Sequence, residues 1–378
     1  MIIGVPKETV SGERRVALVP DLVPTLTKTG LEVLVQHGAG EAAGFLDSSY
    51  AEKGARLEPE VFDKADILIK VLPPTEGEIG KIREGVLLVS FLQPYTSTAE
   101  IKALAARHVT AFSMELMPRI TRAQPMDALS AMSTVSGYKA VLIAAGRLPK
   151  FFPLLMTAAG TMTPARVFVI GAGVAGLQAI GTAKRLGAVV EAYDTRPVVK
   201  EQVESLGAKF AAISLETTDS QEKTGYAKAQ SEEFYRKQQQ LMLKCISAAD
   251  VVITTALVPG KRAPVLITEE MVQNMRPGSV IVDLASEQGG NCALTEPGSE
   301  VVKHGVVIVG TTNLPSTMAF HASQMYAKTV TNFLGHLLQD GSVHLDLEDE
   351  LTRGPLVTHR GEILNEAIKS ALSAGGTA

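Results

Sequence analysis

Apolar positions along the chain fall into short uninterrupted runs separated by stretches of helical period, the pattern of strands buried on both faces alternating with amphipathic helices. Strands are predicted at residues 2–5, 32–36, 67–71, 86–91 and 109–113, with helical periodicity at 21–28, 51–53 and 98–107 between them. Prolines 73, 74 and 94 end two of these runs. This alternation predicts a doubly wound sheet that carries no glycine fingerprint. A helical pattern without internal proline covers residues 127–147, punctuated at one-turn spacing by Ser130, Ser133 and Ser136. At about 20 residues it would be roughly 30 Å long, enough to bridge two domains.

The next stretch, residues 165–194, reads ARVFVIGAGVAGLQAIGTAKRLGAVVEAYD: strand, glycine-rich turn, helix to Arg185, strand. Further strands are expected at 251–255, 279–284 and 306–309, then a long helix at 317–338 that would carry the chain back, and a C-terminal segment, 346–374, that would rejoin the first domain. The fold class expected is α/β: two doubly wound Rossmann-like domains joined by two long helices, with a ligand cleft between them. The boundaries expected are 1–126 with 337–378 for the first domain, 127–153 for one bridging helix, 154–314 for the nucleotide domain and 315–336 for the return helix. Residues 217–240 are polar and charged and read as an inserted loop, a lid or a mobile connection.

Composition narrows the function classes. The 378 residues exceed the roughly 250 to 300 that one core supports, which agrees with two domains. Hydrophobic residues make up 46% and net charge is −4, so a large core is available and no electrostatic case for nucleic acid exists. Cys245 and Cys292 form no CxxC or Cys/His cluster, which argues for a reducing compartment and against a structural metal. The chain runs from Met1 directly into a strand, with no signal-peptide pattern, and the most apolar window, 151–162, is broken by Pro153 and Gly160. A soluble chain is expected.

The turn at 171–176 carries the chemistry. Gly171 suits the tight turn, Gly173 close approach of the backbone to a pyrophosphate, and Gly176 close packing of helix on strand. The helix that follows would present its unpaired N–H groups to the phosphates. Asp194, at the end of the second strand, is placed to accept from the ribose hydroxyls and to repel a 2′-phosphate, so NAD(H) is favoured; Arg196 could soften that discrimination. In the loop before the long helix, Arg119, Gln124 and Asp127 offer an anion partner, a donor–acceptor pair and an acceptor suited to a nicotinamide. By residue type alone Asp127 reads equally as a helix N-cap, and Arg119 and Arg122 as a solvated face.

The phrases MELMPRITRAQPMDALS, AAGTMTPARVFVIGAGVAGLQAIGTAKRLGA, YDTRPVVKEQVESLGAKF, TTALVPGKRAPVLITEEMV and MRPGSVIVDLASEQGGNC resemble the NAD(H)-binding alpha component, domain I, of proton-translocating NAD(P) transhydrogenases, over nearly the whole chain. Ending at Ala378 without membrane helices, it is similar to the separate soluble alpha-1 subunits of the three-polypeptide form. The resemblance implies that Arg119, Gln124, Asp127 and Ser130 contact the nicotinamide end. It also implies that Val174, Asp194 and Arg196 lie on the adenosine side, Gly225 and Tyr226 in a mobile loop over the cofactor, and Ala256 and Leu257 along it. Further, it implies the proton-translocating rather than the Si-specific enzyme type and NADP(H) bound by domain III of a beta subunit. Membrane domain II subunits, a homodimer, and a cytoplasmic location peripheral to the inner membrane complete the expectation.

The same family is related to alanine dehydrogenases, which supply the alternative: an amino-acid or keto-acid oxidoreductase. Arg15 and Lys70 fill two positions of that site, but its catalytic His is Gln93 here and its Asp is Glu287. Gln cannot shuttle a proton near neutral pH as imidazole does, so that site is incomplete. Arg15 and Lys70 then read as basic ends of an inherited cleft. A non-catalytic NAD-binding module is the third reading, against which the Arg119–Asp127 loop argues. Cys292 lacks a nearby His and reads as a turn residue, and His321 reads as core.

Overall fold

The computed structural model describes residues 1–212, 232–258, 260–339 and 341–374. Its contacts divide the chain into two units, Met1–Met132 with Pro315–Ala378, and Ser133–Leu314.

In the first unit the short apolar runs form parallel strands buried on both faces. Their order is Arg56–Glu58, Glu32–Gln36, Ile2–Val5, Ile67–Ile69, Leu87–Ser90 and Thr110–Ser113. Leu356–His359, antiparallel to Thr110–Ser113, and Glu362–Ile363 bring the sheet to eight strands. One face packs Leu34, Leu68, Leu88 and Ala111 with Phe62, Ile101 and Leu104. The helix Ala319–Leu337, expected to carry the chain back between domains, belongs wholly to this unit. Its Tyr326 ring lies 5.1 Å from Phe91 and its Phe333 ring 5.2 Å from Phe112. Among the elements that escaped the sequence pattern, two are short and polar: the edge strand Arg56–Glu58, and the helix Glu76–Lys81, started by a capping box between Thr75 and Glu78.

The second unit repeats the topology. The parallel order is Lys209–Phe210, Val189–Tyr193, Arg166–Ile170, Val251–Thr254, Val280–Asp283 and Val306–Gly310, with Glu300–Lys303 antiparallel at the edge. Val167 and Val169 face a core that includes Ala140, Val141 and Ala144; Phe168 and Ile170 face another that includes Met242 and Ile246. In both units the strand order reverses beside the first strand, the switch point where such sheets bind ligands.

Three departures from the sequence reading have physical causes. Of the expected loop 217–240, residues 217–231 lie outside the described residues, and the rest belongs to the helix Glu232–Ala248. There Lys237 pairs with Glu233 one turn away, and buried Gln238 donates to the Tyr193 hydroxyl at 3.0 Å. The window 151–162 contains an antiparallel hairpin, Leu155–Thr157 with Gly160–Met162, near which Phe151, Leu154 and Met156 are exposed. Among the described residues one helix, Ala128–Arg147, is long and apolar enough to cross a membrane. Its apolar residues Ala140, Val141 and Ala144 are buried in the second unit's core.

Candidate functional site

The strand Arg166–Ile170 ends at Gly171, whose φ of +96° is a left-handed conformation that disfavours any side chain. A Cβ there would also lie 2.5 Å from the Thr255 hydroxyl. A Cβ on Gly176 would sit 1.8 Å from the Gly171 carbonyl oxygen, so helix and turn touch through bare backbone. At Gly173, by contrast, a Cβ meets nothing within 4 Å. Two glycines are therefore demanded by packing, and the middle one faces open space of the kind a pyrophosphate needs.

The helix Val174–Arg185 starts at Gly173 with no side-chain cap and no acidic residue in its first turn, and ends with Lys184 and Arg185. Its positive end is left for an anion and its negative end is balanced. Gly137, inside the helix Ala128–Arg147, was missed by the sequence reading. A Cβ there would come within 2.1 Å of the Ala175 carbonyl oxygen, so the long helix seats the first turn of the helix Val174–Arg185. An isolated glycine within a helical pattern was the available signal.

Asp194 is 7% exposed and does not wait with free oxygens. Its Oδ2 accepts from the Ala172 N–H at 2.8 Å and from Arg196 Nη2 at 2.8 Å; Oδ1 accepts from Arg196 N and Nε, each at 2.9 Å. A carboxylate offers about four lone-pair sites, and here all are used. Arg196 thus acts on Asp194 directly. Val174 and Leu257 are exposed apolar side chains, and Ala256 is half-buried beside Thr255. Gly225 and Tyr226 lie outside the described residues.

In the first unit the chain from Arg119 runs into the 3-10 helix Thr121–Met126. Arg119 and Gln124 are exposed. Asp127 caps the helix Ala128–Arg147, its two oxygens accepting from Ser130 N at 2.8 Å and Ser130 Oγ at 2.6 Å. Arg122 is held bidentately by Asp349, at 2.8 and 3.3 Å. That pairing holds the Asp349 carboxyl below its usual range and pushes the Arg122 guanidinium up. Asn332 donates to the Pro125 carbonyl at 2.8 Å. The loop is anchored at 122, 125 and 127.

Arg15 and Lys70 are occupied by carboxylates of their own unit. Arg15, 5% exposed, grips Glu13 with Nε at 2.8 Å and Nη2 at 2.6 Å. Lys70, 1% exposed, lies 3.2 Å from Glu8 and 3.5 Å from Glu78. Burial pushes the Glu8 carboxyl up, with Lys70 holding it back. Gln93 has φ +48° and donates its N–H to Glu115 at 2.7 Å; burial likewise raises the Glu115 carboxyl. Glu287 accepts from the Asn313 N–H at 2.9 Å. Cys292 is buried, its thiol pushed up by burial to about 11. His321, expected in the core, is exposed and stands edge-on to Phe320 at 5.3 Å: the helix turns its Tyr326 and Phe333 face inward instead.

The family described as alanine dehydrogenase/PNT, N-terminal domain, matches residues 4–136, and that described as alanine dehydrogenase/PNT, C-terminal domain, matches residues 140–366. The chain is 50% identical over 379 residues to the first of the alpha-subunit polypeptides of the NAD(P) transhydrogenase of Rhodospirillum rubrum, covering 97% of this chain and 99% of that one. It is 32% identical to an alanine dehydrogenase of Halomonas elongata, covering 98% and 96%. The solved structure of a transhydrogenase from Sinorhizobium meliloti superposes with a TM-score of 0.86 at 41% identity, over 97% of this chain and all of that one.

Proposed function

This chain belongs to the alanine dehydrogenase/PNT family, and from that premise we propose that it is the NAD(H)-binding subunit of a proton-translocating NAD(P) transhydrogenase. The observation that carries the reading is the second unit's switch point, where Gly173 faces open space at an uncapped helix N-terminus and Asp194 stands at the end of the neighbouring strand. The 50% identity to a transhydrogenase alpha subunit supports transhydrogenase over alanine dehydrogenase, and so does Gln93, which has no proton to shuttle.

In this reading NADH held by this chain would supply a hydride to NADP⁺ held by domain III of a beta subunit, giving NAD⁺ and NADPH. The chain's own residues bind and orient. Gly171, Gly173 and Gly176 form the turn for the pyrophosphate, Val174, Asp194 and Arg196 lie on the adenosine side, and Ala256 with Leu257 line the dinucleotide; the family resemblance assigns Gly225 and Tyr226 to the cofactor loop. Arg119, Gln124, Asp127 and Ser130 fix the nicotinamide. Catalysis then comes from proximity and alignment of two rings, with no acid–base pair. Membrane domain II subunits carry the coupled proton, and the chain acts as a homodimer on the cytoplasmic side.

The test is hydride transfer from NADH to an acetylpyridine analogue of NADP⁺ by the purified chain, with and without an added domain III. Transfer only in the mixture is expected. Oxidation of NADH by the chain alone with pyruvate and ammonia, and no transfer in the mixture, overturns the proposal in favour of an alanine dehydrogenase.

A further inference from the structure

Behind the glycine turn the second unit contains a fully buried amide, Asn291, that the functional reading leaves unused. Its side chain both accepts from and donates to one residue: Oδ1 takes the Ala256 N–H at 3.0 Å and Nδ2 gives to the Ala256 carbonyl at 2.9 Å. Nδ2 also gives to the Pro264 carbonyl at 2.8 Å, so the amide ties together two points of the segment that bears Leu257. One N–H donor and two carbonyl acceptors as partners admit a single orientation of the amide.

Asn291 is itself fixed. Its N–H donates to Asp283 Oδ2 at 2.8 Å, and its carbonyl accepts from Leu266 and Ile267 at 2.8 and 2.9 Å. Asp283, fully buried, further accepts from Thr254 Oγ1, Ala285 N, Cys292 N and Thr295 Oγ1, at 2.7 to 3.0 Å. A carboxylate so saturated is a rigid hub.

From Ala256 the contact passes to the turn. Thr255 donates to the Gly171 carbonyl at 3.1 Å, and a Cβ on Gly171 would meet the Thr255 hydroxyl and come within 3.5 Å of the Ala256 nitrogen. Thr255 and Ala256 are the floor on which the first glycine rests. Because both backbone groups of Ala256 are bound to Asn291, its contact with a dinucleotide falls to its methyl group and to exposed Leu257.

We propose that Asn291, backed by Asp283, is a positioning residue for the dinucleotide. It holds the Thr255–Leu257 floor, and through Thr255 the Gly171 turn, in binding geometry before the ligand arrives. This rests on the reading of that turn as an NAD(H) site.

The experiment measures NADH affinity by titration of the full chain, alongside thermal midpoint, for wild type, Asn291→Ala, Asn291→Asp, Thr255→Val and Val203→Ala. Val203 is a buried core residue of the same unit and serves as the control for lost stability alone. Asn291→Ala is expected to weaken NADH about tenfold, since Ala256 and Pro264 lose buried partners and the floor is released. Asn291→Asp sets an oxygen against two carbonyls and loses as much or more. Thr255→Val, at a half-buried site of matched shape, keeps the fold and loses about threefold. Val203→Ala lowers the midpoint but leaves affinity unchanged. Wild-type affinity in folded Asn291 and Thr255 variants, or an equal loss in Val203→Ala, overturns the clamp. A wild-type chain that does not bind NADH overturns the functional reading, and the clamp with it.

Discussion

The six parallel strands of each sheet share one order, and the two sheets differ in what fills the switch point. In the second unit the first strand ends at Ile170 and a helix begins at Val174, with a glycine turn between. An uncapped helix start and open space coincide there. In the first unit the first strand ends at Val5 and is followed by Pro6, which has no N–H; the next α-helix begins only at Val23. Glu8 instead fills its switch point, taking the Val71 N–H at 2.6 Å and pairing with Lys70. One topology thus yields an uncapped helix start facing open space in one unit and a carboxylate already satisfied by its own chain in the other. Topology marks where a ligand can sit, and the first turn decides whether it does.

The comparison can be broken most sharply at Gly173. Gly173→Val places its side chain in open space, so the thermal midpoint stays near wild type while NADH affinity falls by about 100-fold or more, because the side chain fills the phosphate position. Lys7→Val, in the matching turn of the first unit, leaves NADH affinity unchanged. A preserved affinity in Gly173→Val contradicts the site.

The reverse experiment is Lys70→Ala. It leaves Glu8 and Glu78 buried without their cation and is expected to destabilise the chain by about 3 to 5 kcal/mol, read by denaturant unfolding. NADH affinity of the folded variant should not move. An accompanying loss of affinity would mean that the two switch points are coupled.

Smaller effects follow. Asp194→Ala should weaken NADH about tenfold and narrow its preference over NADPH, both by titration, since the carboxylate that selects the ribose is gone. Leu154→Asp with Met156→Asp, at the exposed hairpin, should shift the homodimer proposed above toward monomer in light scattering without altering NADH affinity. The smallest response is expected of the cysteines. Both thiols are pushed to about 11, so at pH 8 only about one in a thousand is thiolate, and alkylation of the folded chain should be negligible over hours. Rapid labelling of Cys292 at pH 8 would reopen a nucleophilic role.

What the linear sequence determined by itself was everything set by local spacing. The strand run ending at Ile170, the helix to Arg185 and the strand ending at Tyr193 were readable because alternation, glycine punctuation and helical period act over a few neighbours. The helix expected at 127–147 is observed over Ala128–Arg147, with Asp127 as its cap. The candidate residues around Gly171 and Asp194 were legible for the same reason. Only the tertiary structure decided which polar groups are already occupied. Arg196 on Asp194, Asp349 on Arg122 and Asn291 on Ala256 are pairings that depend on how the chain returns in space or settles its side chains there. It also decided that Gly137 meets Ala175, that His321 faces outward, and that residues from Glu232 onward form a helix with Gln238 bound to Tyr193. Hydrophobic period speaks for which face is buried; a hydrogen-bond partner some 35 or 227 residues away leaves no mark on that period, so the occupancy of the site emerged only once the chain had folded.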